Sequence, residues 1–200
     1  MSTATANTTT KERILDAAEE IMLQKSFHSV GLNEILSAVK VPKGSFYHYF
    51  QSKEQFGVEL LKHYVAEASN YKRHALLTTE LSENPFDRLM AFFDLNIAKL
   101  MENRCQCSCL VAKLATEVAT FSDDMRAVLA EGGREWVGYL ERVLTEGQAK
   151  DVIRRDIDPK ATALLIHDLW MGANLRMLVE RNVAPLRSMA VFLRRYLTPA

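Results

Sequence analysis

Apolar residues recur three and four positions apart through almost the whole of this 200-residue chain, and no stretch sustains the alternation of a β-strand. Ile14, Leu15, Ala18, Ile21 and Met22 set the pattern early, with polar residues between them. Glycine (8) and proline (5) are scarce, so the turns are few and the helices long. The fold expected is all-α. The formal charge is zero, which excludes a uniformly basic nucleic-acid binder; affinity for a polyanion has to come from a local patch. No apolar run is long enough to span a bilayer and no signal-peptide core is present, so a cytoplasmic location without membrane attachment is expected. Residues 1–9, rich in Ser, Thr and Ala, read as a disordered tail.

Residues 10–25 form a first amphipathic helix, with Thr10 as its N-cap. Residues 33–39 place Ile35, Leu36 and Val39 on one side of a second, short helix. Lys40, Val41 and Pro42 make a turn, because the residue before a proline avoids the helical region. The run Val-Pro-Lys-Gly-Ser-Phe-Tyr-His-Tyr-Phe-Gln-Ser-Lys then occupies 41–53. On a helix opened by Pro42, Phe46, Tyr49 and Phe50 share one face. A helix this short needs that face anchored in a core. Lys43, Ser45, Tyr47 and His48 are left on the other side, and no carboxylate occurs from Ser37 to Lys53. A cation, a hydroxyl, a phenol and an imidazole suit phosphates and base edges. Long helix, short helix, tight turn and short basic-aromatic helix is the helix-turn-helix order.

The segment Gly-Leu-Asn-Glu-Ile-Leu, followed by Val-Pro-Lys-Gly-Ser-Phe-Tyr-His-Tyr-Phe-Gln-Ser-Lys-Glu, resembles the DNA-binding domain of the TetR family of transcriptional repressors over residues 11–63. The resemblance implies that Lys43, Gly44, Ser45 and Tyr47 meet DNA and that Tyr47, His48 and Lys53 hold its phosphate backbone. Ser26 stands where the family has glycine, so a left-handed helix terminus with some strain is expected there. The domain plan that follows is a helix-turn-helix domain over 10–52 and an effector-binding and dimerisation domain over 53–200.

In that second part, a long helix runs from Lys53 past Tyr71, and Asn84-Pro85 and Asp158-Pro159 are helix starts. Another helix covers 109–120, and the next extends over about 123–147 with an interruption allowed at Gly132-Gly133. Pro185 opens the last. The family resemblance implies that the two final helices pair across a two-fold axis. Gly172 and Ala173, beside Trp170, permit a close helix approach.

The three cysteines all lie within Arg-Cys-Gln-Cys-Ser-Cys-Leu-Val-Ala-Lys at 104–113. Structural disulfides do not suit a cytoplasmic protein. There is no Cys-x-x-Cys pair or histidine cluster to make a zinc site, so neither metal nor cofactor is expected. Packing and reactivity both remain open. Cys109 sits near a helix start, where the dipole favours thiolate, with Arg104 and Lys113 as nearby cations. Ser-Cys-Leu-Val-Ala-Lys-Leu-Ala-Thr-Glu and the later Trp-Met-Gly-Ala-Asn-Leu look like a NemR/AcuR-like subgroup of the family. That likeness implies electrophile or oxidant sensing at Cys109. It departs at Ser108, where the subgroup has glycine, and at Leu178, where NemR has lysine. Cys105 shares a face with Cys109 if the helix starts early, and is a candidate resolving thiol.

The reading is a homodimeric repressor that binds a palindromic duplex operator and is released by a small-molecule effector sensed at Cys109. The alternative is a non-covalent apolar ligand in a pocket lined by residues such as Phe93, Trp136 and Trp170, with structural cysteines; each of these rings is equally at home in a core. A cysteine-dependent enzyme using His63 or His167 is the remote competitor, since neither histidine stands in a catalytic motif.

Overall fold

The computed structural model describes residues 9–106 and 109–199, and among these it is all helix and connection. The chain divides into two compact units. One holds the chain up to Ala66 together with Cys109–Leu129; the other holds the chain from Glu67 to 106 and from Ala130 onward. Of the expected tail, all but Thr9 lies outside the described residues, as do Cys107 and Ser108.

The first unit begins with α1 (Thr10–Gln24). Its N-cap is Thr9, one residue before the expected Thr10: the Thr9 hydroxyl accepts from Glu12 N–H (3.2 Å) and Glu12 returns the bond to Thr9 N–H (2.7 Å). This reciprocal pair fixes the start of the helix. α2 (Leu32–Val39) ends at Lys40, whose φ of 55° is left-handed. The expected left-handed residue at Ser26 is not found. Lys25 closes α1 in an extended conformation, so the chain leaves the helix without a left-handed residue, and the Ser26 hydroxyl donates to Glu117 Oε1 (2.5 Å). α3 (Lys43–Tyr49) follows, and α4 (Lys53–Leu77) starts in this unit and continues into the second. α6 (Leu110–Val118) and the first turns of α7 (Asp123–Ala149) complete it.

What holds α3 is a ring cluster. Phe46, Phe50 and Phe56 are each at most 1% exposed, with centroids 4.9, 5.3 and 5.1 Å apart in tilted and edge-on arrangements. Seven residues make too little helix to be stable alone, so these contacts supply the missing free energy.

The second unit contains the rest of α4, α5 (Pro85–Glu102), the rest of α7, α8 (Pro159–Glu180) and α9 (Ala184–Leu197). Asn84 and Asp158 cap α5 and α8 as their Asn-Pro and Asp-Pro pairs foretell. α7 runs through Gly132-Gly133 without a break. Arg88 is 1% exposed, and its guanidinium donates to Leu76 O (2.8 Å), Ser82 O (3.1 Å) and the Glu146 carboxylate. Those partners are what make a buried cation tolerable. α8 and α9 pack together while leaving Leu175 (64%), Val179 (77%) and Phe192 (46%) exposed.

Gly57 is where α4 comes closest to its neighbours. A methyl group there would stand 2.7 Å from the Phe27 ring and 1.9 Å from Met125 Cε. The methionine end can swing aside, but Phe27, 1% exposed, cannot. Gly57→Ala is therefore expected to destabilise the first unit by roughly 1–3 kcal/mol despite alanine's better helix propensity. A thermal melt in which Gly57→Ala equals or exceeds the parent would refute this packing.

Candidate nucleic-acid interface and cysteine centre

The short helix α3 separates its two faces as its spacing predicts. Phe46 is buried and Tyr49 half-buried, while Lys43, Gly44, Tyr47 and His48 are exposed and Ser45 is half-exposed. Tyr47 is 56% accessible even though its ring meets Phe46 edge-on at 5.5 Å. Gly44 has open space around it, with no atom within 4 Å of a built Cβ among the described residues. A backbone without a side chain there can come close to whatever α3 faces.

Lys53 sits differently from the other candidates. Its ammonium donates to Val30 O (2.9 Å) and His28 O (3.2 Å) and lies 5.3 Å over the Phe27 ring. It ties the start of α4 to the α1–α2 connection, which answers the puzzle of a cation at a helix N-terminus: two carbonyls offset the unfavourable dipole. The side chain is still exposed.

Cys109 is the N-cap of α6 and half-buried, and its sulfur accepts the Ala112 N–H at 3.5 Å. The Tyr64 hydroxyl on α4 is hydrogen-bonded to Cys109. Burial first, then the facing Cys109, push the Tyr64 phenol above its ordinary range, so it stays protonated and donates. Cys109 therefore has two donors near its sulfur inside the unit that carries α3.

The other expected partners of Cys109 are placed elsewhere. Lys113, one turn along α6, donates to Leu23 O at 2.7 Å, so its charge serves the C-terminus of α1. Cys105 does not share a helix face with Cys109, because α6 begins only at Leu110. Arg104 (φ 53°) and Cys105 (φ 57°) are consecutive left-handed residues that terminate α5, with Cys105 N–H bound to Leu100 O (2.8 Å). Cys105 belongs to the second unit and packs against its core. The described cysteines are free thiols.

Phe93, Trp136 and Trp170 come together in the second unit. Phe93 and Trp170 lie 5.2 Å apart and Trp136 meets Trp170 edge-on at 6.4 Å. Phe93 and Trp136 are buried, Trp170 half-buried. Lys72 Nζ (4.5 Å) and the His167 ring (5.1 Å) also approach Trp136, neighbours that sequence spacing does not signal. His63 pairs with Asp16 Oδ1 (2.8 Å). Among the described residues no His, Cys, Asp and Glu group could hold a metal, and no helix is long and apolar enough to cross a membrane.

The family model for the tetR family of bacterial regulatory proteins matches residues 14–60, and that for the tetracyclin repressor-like C-terminal domain matches 85–193. The transcriptional repressor NemR of Escherichia coli is 34% identical over 96% of both chains. The chain belongs to the TetR family. The transcriptional regulator AcuR of Cereibacter sphaeroides is also 34% identical, over 94% of this chain and 85% of its own. A crystal structure of E. coli NemR in reduced form superposes with a TM-score of 0.87 at 33% identity, covering 96% of this chain and 100% of that one. These likenesses put the chain in a NemR-like subgroup, a group of DNA-binding transcriptional repressors rather than enzymes. Leu178 packs against the core of the second unit.

Within the TetR head, Glu117 of α6 accepts from the Ser26 hydroxyl (2.5 Å) and from His28 N–H (2.8 Å). Partial burial opposes its charge, but these donors outweigh it and hold the carboxyl below the ordinary glutamate range. With a folded value depressed below 4.5, the stabilisation is complete above that pH and is lost as pH falls through the folded value. Glu117→Ala should cost about 1 kcal/mol at neutral pH and flatten the acid limb of the stability profile. An unchanged acid limb in the variant, followed by circular dichroism, rules this contribution out.

Proposed function

We propose that this TetR-family repressor acts as a homodimer on a palindromic operator and is released by an effector that reacts with Cys109. The observation that carries the DNA-binding part is the exposed Lys43, Ser45, Tyr47, His48 face backed by buried rings. Direct contacts from Lys43, Gly44, Ser45 and Tyr47 to the duplex, with phosphate contacts from Tyr47, His48 and the third proton of Lys53, follow from it. Two such helices have to reach successive major grooves about 34–36 Å apart, which requires a symmetric pair.

The exposed apolar residues of α8 and α9 support that pairing. Leu175 and Val179 lie one turn apart on α8, on a helix where Gly172 leaves open space in a single chain. A charge on this stripe should split the dimer: Val179→Glu is expected to sediment as a monomer and to lose operator affinity, since it halves the contacts. A dimeric Val179→Glu assigns the interface elsewhere.

For the effector, the N-cap position of Cys109, whose sulfur meets the Ala112 N–H and the Tyr64 hydroxyl, supports its reading as the reacting group. The thiolate adds to an electron-poor alkene carbon, forming a C–S bond as the C=C π bond breaks, and the resulting enolate takes a proton from water; the negative charge leaves sulfur, and the thioether is a weaker acceptor for Tyr64 and Ala112. α4, which carries Tyr64, begins four residues after α3 ends, so a disturbance at Cys109 reaches the recognition helix within one compact unit. A full switch between bound and released populations needs a difference of roughly 5.5 kcal/mol in effector binding to the two states, which covalent modification can supply. The NemR structure described as a reduced form supports redox relevance in a relative.

The second reading, a non-covalent ligand, is favoured by one observation: the Trp136 indole N–H is buried without an acceptor among the described residues. A gel shift on the protein's own upstream region separates the two. The complex should weaken with a log–log salt slope near −0.9 per neutralised phosphate. An electrophile such as N-ethylmaleimide should release the parent but not Cys109→Ser. Release of both proteins alike removes Cys109 from the mechanism, and a salt-insensitive complex removes the phosphate contacts.

A further inference from the structure

The turn between α2 and α3 carries a lysine where the backbone favours glycine. Lys40 ends α2 at φ 55°, a left-handed conformation that glycine adopts freely and lysine only under strain. The surrounding backbone enforces it: Lys40 N–H bonds to Ser37 O (3.3 Å) and Val41 N–H to Leu36 O (3.0 Å). The ordinary reason for a cation at this place is the negative end of the helix dipole. Here Arg13 of α1 already donates to Val39 O at 2.9 Å, so the end of α2 has a cation without Lys40.

The side chains around Lys40 share one chemistry. Asn33, Ser37, Lys40 and Lys43 line one open cleft together with Leu36 and Pro42. All four polar residues are exposed. Asn33 and Ser37 lie one turn apart on α2, and Lys43 is the first residue of α3. Among the described residues, neither lysine forms an ion pair and neither the Asn33 amide nor the Ser37 hydroxyl forms a hydrogen bond. No carboxylate occurs from Ser37 to Lys53, and Glu34, the acid of α2, is taken by Lys25 Nζ at 2.5 Å. Two ammonium groups, an amide and a hydroxyl, with no acid in the lining, make a seat for an anion. Lys43 joins this seat to the exposed face of α3, Tyr47 standing one turn further on. In a helix-turn-helix the first of the two helices crosses the duplex backbone, and here that helix is α2.

We propose that Lys40, with Ser37 and Asn33, seats one phosphate of the operator backbone at this turn, outside the contacts of α3. The inference rests on DNA binding by the first unit and gives that binding a further positioning residue. Lys43 adds its charge from the α3 side. The contact is electrostatic and blind to sequence, so it sets register and strength and leaves base selection to α3. A lysine at this φ lowers the stability of the fold and raises affinity for the duplex, so its replacement moves the two in opposite directions.

The test is fluorescence anisotropy of the full-length protein on its own upstream duplex and on an unrelated duplex, over roughly 50–200 mM salt, beside a thermal melt. Lys40→Gly removes the cation and relieves the backbone. It should melt at or above the parent temperature, yet bind both duplexes roughly tenfold or more weakly at about 0.1 M salt. The log–log salt slope should shrink by about 0.9 for each head engaged, or about 1.8 for a dimeric complex. Lys40→Asn, whose side chain tolerates the left-handed region, should behave alike, whereas Lys40→Arg should keep the parent slope. Parent slope and affinity in both uncharged variants overturn the seat and leave DNA binding by α3 standing. Weakening confined to the upstream duplex overturns it as well, because that pattern belongs to a base contact. A Lys40→Gly protein that melts lower and keeps the parent slope makes Lys40 a residue of the fold alone. A parent that ignores both duplexes at low salt removes DNA binding itself, and the seat with it.

Discussion

The contact among Phe46, Phe50 and Phe56 is the constraint on which the first unit turns. α3 is seven residues long and opens with lysine and glycine, neither of which stabilises a helix start. Its order comes from rings on one side, packed at 4.9–5.3 Å against each other. Once those rings are in the core, helical geometry alone decides that Tyr47 and His48 project outward. A surface for DNA is thus a by-product of how the core is filled, and any change that lets the rings move also re-aims the polar side chains.

The same unit contains α6, which is separated from the helix-turn-helix by some sixty positions of sequence. Three polar links attach it: Lys113 to the end of α1, Glu117 to Ser26 and His28, and Cys109 to Tyr64. Each is modest singly, because partly exposed hydrogen bonds contribute about 1 kcal/mol. Apolar contacts of Leu110, Leu114 and Val118 do more of the holding. The arrangement sets a chemically distinctive thiol against a helix that leads straight into α3. α4 and α7 each contribute residues to both units.

Periodicity and capping made most helices legible. Asn84-Pro85 and Asp158-Pro159 act locally, through side-chain oxygens bonded to N–H groups two or three residues on, and so they read directly from sequence. The face division of α3 was equally local. What escaped were roles fixed by distant partners. Lys53 and Lys113 look like free cations in sequence, yet both are bound to backbone carbonyls 23 and 90 positions away. Nothing near Lys40 signals its left-handed conformation, which glycine would ordinarily take. Cys105 and Cys109 do not share a helix face for a similar reason: two left-handed residues, Arg104 and Cys105, follow α5, and α6 begins only at Leu110. The aromatic trio Phe93, Trp136 and Trp170 was legible as a group, but Lys72 and His167, which give it polarity, were not.

The thiol of the first unit and the aromatic cluster of the second carry the two proposed modes of release, and these ask for different effectors. In the proposed covalent mode, a half-buried Cys109 thiol selects effectors by reactivity and by size, and discriminates weakly among small soft electrophiles. Charged and neutral electrophiles of equal intrinsic reactivity differ only in what they offer beyond the thiol. Comparing release by such pairs of matched reactivity tells whether the second unit refines the response of the first. Equal potency means that the thiol alone decides.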